Sequence, residues 1–236
     1  MRYSCRLSRF CLNTANANQL ARFYEDAFGC RRMATEHVSS PDLEKAMDAQ
    51  GGAEGCALAL GQETIELTQF AKPGRPYPAN PSASDLIFQH LAIVVSDMTK
   101  AFQRLRTVEG WSPITQGGPQ RLPESSGGVT AFKFRDPEGH PLELLAFPTD
   151  NMPPKWRVER NCGTCLGIDH SAIVIADGAA SRAFYEDLGF KVSGHSQNRG
   201  IEQEKLDDMP GVHVDVTALS PTDDGPHVEF LCYQSL

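Results

Sequence analysis

Positive charge is scarce in this sequence. Its 236 residues carry 22 Lys and Arg against 30 Asp and Glu, a formal net charge of −8. A surface of that sign repels a phosphate backbone, so no nucleic-acid partner is expected. Long apolar runs are missing as well. The best, Leu86 to Val95, has ten residues and is broken by Gln89 and His90, too short and too polar to cross a bilayer. Met1-Arg2-Tyr3-Ser4-Cys5 contains no continuous apolar segment, so neither a signal peptide nor a membrane partner is expected, and the protein reads as cytoplasmic. Seven cysteines, an odd number without framework spacing, argue for reduced thiols. Cys162-Gly163-Thr164-Cys165 matches a CxxC pattern, but it lies in a linker before a strand and lacks the second ligand pair a zinc site needs. No Ser-His-Asp spacing, phosphate-binding loop or GxGxxG following a strand is present. The 20 Gly and 16 Pro are scattered, and 40% of residues are apolar, which excludes collagen, coiled coil and wholesale disorder.

What is present is a repeat. Three segments begin with a short apolar strand at residues 9, 90 and 170, about 80 residues apart: Arg9 to Asn13, His90 to Val95 and His170 to Ile175. Each is followed by a helical stretch, and the first and third of these contain Phe-Tyr-Glu-Asp, at Phe23 to Asp26 and Phe184 to Asp187. Each segment closes on an apolar strand carrying one carboxylate: Ile65-Glu66-Leu67, Leu142-Glu143-Leu144 and Val228-Glu229-Phe230. Between these ends lie further strands at Gly55 to Leu60, Val129 to Phe134 and His213 to Ala218, and Asp136-Pro137-Glu138-Gly139 is a hairpin signal. A period this long indicates module duplication rather than a solenoid. The Pro-rich stretch from Pro148 to Gly163 reads as the domain boundary. Residues 1–150 therefore form one domain of two modules, about 5–70 and 86–148, and residues 164–236 a third module.

A carboxylate in mid-strand between apolar neighbours faces away from the helix-packed side. With a His at the matching opening position of two modules, a divalent metal site of His90, Glu143, His170 and Glu229 is expected. The first module differs, because Arg9 holds the opening position and a guanidinium is not a metal ligand. Arg9 can instead pair with Glu66 and stand where a metal would. Two arrangements follow: modules one and two share a cavity with Arg9, Glu66, His90 and Glu143, or two His and two Glu meet, from modules two and three or from third modules of two chains. His140 belongs to the hairpin turn. The polar segment from His195 to Gly211 reads as a loop near the cavity, with Gln197, Asn198 and Arg199 as substrate contacts alongside Arg9 and Glu66.

The segments Phe88-Gln89-His90 through Asp97, Phe134 through Leu144, and Gly167-Ile168-Asp169-His170 through Asp187 resemble the vicinal oxygen chelate superfamily, which includes glyoxalase I, extradiol dioxygenases and bleomycin-resistance proteins. The resemblance implies an α+β fold of repeated βαβββ modules forming cup-shaped mixed sheets, a glyoxalase-like fold. It places His90, Glu143, His170 and Glu229 at ligand positions for a divalent metal ion, with Fe, Mn, Ni, Zn and Mg all open. A small-molecule substrate and a homodimer are expected, the third module pairing across a dimer or packing on the first domain. The activity implied is a lyase or isomerase acting on an oxygen-rich substrate through an enolate-type intermediate, with Glu143 or Glu229 as catalytic base. Two alternatives stand beside it: extradiol ring cleavage, and metal-free sequestration of a drug-like ligand in a cup lined by aromatics. Arg9 favours the last, and Trp111 and Trp156, which miss the repeat-equivalent strand positions, count against it.

Overall fold

The computed structural model describes residues 5–33, 45, 51–79, 81–157 and 163–234. The first module contains β1 (Phe10–Asn13), α1 (Ala17–Phe28), β2 (Arg31–Arg32), β3 (Ala53–Leu60) and β4 (Glu63–Phe70). The second contains β5 (Phe88–Val95), α2 (Met98–Leu105), the short β6 (Ser112–Pro113) and β7 (Gln120–Arg121), then β8 (Thr130–Arg135) and β9 (Pro141–Ala146). The third contains β10 (Cys165–Val174), α3 (Gly178–Asp187), β11 (Lys191–Arg199), α4 (Ile201–Asp207), β12 (His213–Ser220) and β13 (His227–Tyr233).

Each crossover helix starts by the same local device. A short polar side chain accepts a hydrogen bond from an amide three residues on: Asn16 from Gln19, Asp97 from Lys100 and Asp177 from Ala180. Gly29, at φ +74°, ends α1 in the left-handed conformation that a residue with a Cβ adopts only at a cost. The helix returns the chain so that first and last strands of each module pair in parallel. The register is identical three times over, with Cys11 opposite Glu66, Ala92 opposite Glu143 and Ala172 opposite Glu229. Arg9, His90 and His170 thus stand two residues before the position that faces the carboxylate.

The modules meet in two different ways. α1 packs against the second module, where Tyr24, Phe28, Phe132 and Phe134 join one core, with the Phe28 and Phe134 rings 6.1 Å apart. The second module's hairpin turn is tied into the first, Glu138 accepting from Thr14 Oγ1 at 2.6 Å and from the Ala15 amide at 2.8 Å. The Tyr24 hydroxyl donates to Asp136 at 3.2 Å, and the same carboxylate holds His140 Nδ1 at 2.8 Å within the turn. The curved sheet has another membership. Its order is β11-β12-β13-β10-β5-β9-β8-β6, with β5 and β10 antiparallel, while the first module keeps its own four-stranded sheet, β1-β4-β3-β2.

The grouping expected from the linker therefore changes at the level of the sheet. Modules one and two share a helix-side core, but the third module joins its sheet to the second within one chain. The polar segment after His195 is not a loop: β11 runs to Arg199 and α4 follows directly. Of the CxxC pair, Cys165 is buried at the start of β10, and Cys162 lies outside the described residues. The shared tetrapeptide also finds two environments. Phe23 is 5% exposed in the helix-side core, whereas Phe184 on α3 is 62% exposed.

Phe134 stands at the junction of the first two modules, fully buried against Phe28, Trp111 and Phe132. Phe134→Ala should lower unfolding free energy by about 3–5 kcal/mol, read as a shift in the denaturant midpoint at constant slope.

Candidate metal centre

The antiparallel register of β5 and β10 sets the centre. His170 lies opposite Ala92 and Ala172 opposite His90, so the two imidazoles sit diagonally about a local pseudo-two-fold axis, on one face, each across from a methyl group of the other strand. Their Nε2 atoms are 3.1 Å apart. Glu143 Oε2, carried by β9 next to β5, is 3.4 Å from His90 Nε2 and 3.8 Å from His170 Nε2. Glu229 Oε2, carried by β13 next to β10, is 3.5 Å from His170 Nε2. His90, Glu143 and His170 form one compact group that could hold a metal ion, and Asp169, His170 and His227 form another.

The outward nitrogens decide what the inward ones can do. His90 Nδ1 is paired with the Gln89 side-chain oxygen, and His170 Nδ1 with Asp169 Oδ2 at 3.1 Å. An acceptor at Nδ1 places a proton there and turns the Nε2 lone pair inward, the arrangement a metal-ligating imidazole requires. Asp169 reaches its own neighbour because the β5–β10 register shifts between Ile168 and His170. Its other oxygen accepts from Trp156 Nε1 at 3.1 Å and pairs with Lys155 Nζ at 3.3 Å. The first-choice donor set fits a divalent ion. Ligands at bond lengths of about 2.0–2.2 Å lie roughly 3.0–3.5 Å from one another, close to the spacings seen here.

Charge is concentrated in this buried space. Burial pushes the His90 imidazolium down in pKa, and the Glu143 carboxylate only partly offsets this. Burial also disfavours charge on His170, but Glu229, the Asp169 hydrogen bond and Glu143 outweigh it and raise its pKa to about 9. Burial likewise opposes ionisation of Glu229, yet His170 and His227 bring it down to about 2. Without a metal, the carboxylates around His170 therefore favour its charged form.

Four anticipated ligands lie in this cup, three of them in one tight group, with Glu229 drawn aside toward His227 Nε2 at 3.4 Å. Arg9 and Glu66 lie elsewhere, in the first module's sheet, as an ion pair with Nη1 to Oε2 of 2.6 Å. Asn198 lines the cup, whereas Gln197 and Arg199 are exposed on the other side of β11, as strand alternation demands. Besides the imidazoles, the only aromatic rings lining the cavity among the described residues are Phe147 and Tyr233. Sequence reasoning missed Gln89, Asp169 and His227. A signal existed for the first two, since His90 and His170 are each preceded by a residue bearing a side-chain acceptor.

These features define a βαβββ-repeat protein with a two-His, carboxylate cup on its curved sheet. The model of the Glyoxalase/Bleomycin resistance protein/Dioxygenase superfamily matches residues 6–144, and that of the bleomycin resistance protein-like N-terminal family matches residues 169–198. The chain belongs to the Glyoxalase/Bleomycin resistance protein/Dioxygenase superfamily. Among solved structures, glyoxalase I from Zea mays is 16% identical over 98% of this chain and 67% of its own, with a TM-score of 0.62. The V278E mutant of the same enzyme gives a TM-score of 0.64 at 16% identity, covering 98% and 68% of the two chains. A provisionally named dioxygenase from Bacillus subtilis is 14% identical over 98% of this chain and 64% of its own, with a TM-score of 0.60. At these identities the likeness is one of fold. No curated protein sequence matches the chain. No helix of the described residues is long and apolar enough to cross a membrane.

The electrostatics set a pH dependence for metal-free protein. His170 moves from an ordinary value of 6.5 to about 9, so its contribution to stability is complete below pH 6.5 and lost as pH rises through 9. Glu229 moves the other way, from 4.5 to about 2, so its contribution is complete above pH 4.5 and lost as pH falls through 2. Thermal melts of chelator-treated protein should therefore fall between pH 7 and 9.5, and Asp169→Asn should flatten that decline.

Proposed function

We propose that this protein is a metal-dependent lyase or isomerase acting on a small oxygen-rich substrate in the cup between the second and third modules. The observation that carries the reading is the pair of Nε2 atoms 3.1 Å apart, each with its Nδ1 engaged by a neighbouring acceptor. His90, Glu143 and His170 hold the ion. When bound, it supplies Lewis acidity toward two adjacent oxygens of the substrate. A proton on His170 Nε2 and a bound ion would exclude one another, because one lone pair cannot serve both.

The remaining steps belong to the chain's own groups. Both carboxylates line the cavity, but Glu143 is buried beside both imidazoles, while Glu229 is the more exposed, with one oxygen 3.5 Å from His170 Nε2 and the other 3.4 Å from His227 Nε2. Glu229, ionised at working pH, takes the proton from the carbon next to the substrate carbonyl, and the C–H electron pair moves onto the carbonyl oxygen. Returning that proton to the former carbonyl carbon, while the proton of the adjacent hydroxyl passes to the enolate oxygen, completes an isomerisation. The apolar walls at Val214, Val216 and Leu231 exclude water from this exchange. Ring cleavage is the second reading, favoured by the ligand count, since two imidazoles and one carboxylate also suit a non-haem iron(II).

Elemental mass spectrometry on protein purified without added metal tests both. About one divalent ion per chain is expected in the wild type, absent from His90→Ala and His170→Ala and unchanged in Arg9→Ala. Asp169→Asn should weaken metal affinity by roughly 10–100-fold. Iron as the resident metal would select ring cleavage, and a wild type that takes up no metal after reconstitution would falsify the mechanism.

A further inference from the structure

The cup is symmetric in its backbone but not in its lining. Facing Glu143 across the β8–β9 ladder is Lys133, whereas the matching neighbour of Glu229 is Ala218 and that of Glu66 is Ala57. One wall of the cavity therefore carries an ammonium group and the other a methyl. Lys133 is buried, and although burial opposes its charge, Asp207 raises its pKa above the ordinary lysine value.

Asp207 comes from α4, a third-module helix seated against the second module. Leu206 packs with Ala92, Leu122, Ala131 and Leu145, and its carbonyl accepts from Thr115 Oγ1 at 3.1 Å. Asp207 gathers three donors: Lys133 Nζ at 2.6 Å, Gln203 Nε2 at 2.7 Å and the Tyr233 hydroxyl at 3.0 Å.

That cluster determines how Gln203 stands. An ionised carboxylate only accepts, so the Gln203 amide must turn its NH2 to Asp207 and its carbonyl oxygen away. Gln203 is 3% exposed, and it lines the cavity of about 380 Å³ that also holds His90, Glu143, His170 and Glu229. Its Oε1 is buried with no hydrogen-bond partner among the described residues. A buried, oriented acceptor left without a donor is costly unless a ligand supplies one.

We propose that Gln203 determines substrate specificity: its Oε1 accepts a hydrogen bond from a hydroxyl or amide N–H of the ligand, and Lys133, Asp207 and Tyr233 hold the amide in that orientation. The ligand class is a small molecule that carries a hydrogen-bond donor as well as adjacent oxygens. The inference rests on the reading of this cup as the ligand site, but not on a metal being bound there.

Catechol and 1,2-dimethoxybenzene serve as probes, since both present adjacent oxygens and only catechol donates. Their binding is measured by NMR titration of the full chain, with and without metal, for wild type and for Gln203→Met, which matches glutamine in length and lacks the acceptor. Wild type should favour catechol by about tenfold, and the variant should bring the ratio near one with metal content unchanged. The bulk of the methyl groups acts on both proteins, so the change in ratio isolates the hydrogen bond. A crystal of wild type soaked with catechol should place a hydroxyl within hydrogen-bond distance of Gln203 Oε1, and this decides the matter if the variant does not fold. A ratio indifferent to Gln203→Met, no saturable catechol binding, or a soaked catechol that avoids Gln203 would each overturn the inference. A Gln203-dependent preference in protein that binds no metal would sink the metal mechanism alone, and bound metal with a preference indifferent to Gln203 would sink this inference alone.

Discussion

The antiparallel pairing of β5 with β10 is the contact on which the rest of the candidate site depends. Each strand brings one imidazole, and each imidazole lies opposite an alanine of the other strand. Side chains alternate across a strand, so a slip of one residue in either direction would turn His90 or His170 into the helix-side core and bring Leu91 or Ser171 into the cup. The register is held by what lies behind it. β5 is buried along nearly its whole length, with Leu91, Ile93 and Val95 in the helix-side core and Ala92 and Val94 packed on the opposite face. The flanking parallel strands then deliver Glu143 and Glu229 in equivalent registers on either side.

Bringing four ionisable groups into so small a space is unfavourable unless each charge has a partner. The structure meets that demand in layers. Glu143 and Glu229 face the imidazoles, and Asp169 accepts from His170 while being held by Trp156 and Lys155. Across the cavity, Lys133 and Asp207 neutralise one another. The result is a cup whose polar groups are fixed before any ligand arrives.

One duplicated module serves two kinds of contact. Helix α1 buries Phe23 and Tyr24 of its tetrapeptide in the helix-side core, Tyr24 reaching Asp136 of the second module, while α3 leaves Phe184 exposed and turns Tyr185 onto Phe190 and Phe230. The first module has Arg9 where the other two have a histidine, and it closes onto Glu66. A guanidinium satisfies the same carboxylate that a metal would, so the fold of that module survives without an ion.

Much of this was legible in the sequence, for a physical reason. A module whose strands need one apolar face and whose helices need a polar cap writes its period into the residue order. The three openings, the three closing carboxylates and the His-for-Arg difference could all be read without coordinates. Gln89 and Asp169 left a trace in the residue before each His, and strand alternation sets His227 on the face of Glu229, but its place opposite His170 came only from the β10–β13 register. The polar segment that became β11 and α4 was unreadable as structure because its apolar residues are few and it gains order from packing on the second module. Sequence by itself determined the modules, their internal register and the residue types at each ligand position, since all of these arise within about 80 residues of local patterning. Only the tertiary structure decided which modules share a sheet and that Lys133, Asp207 and Gln203 meet across the cup, because strand-edge pairing and helix docking join residues that no local pattern relates.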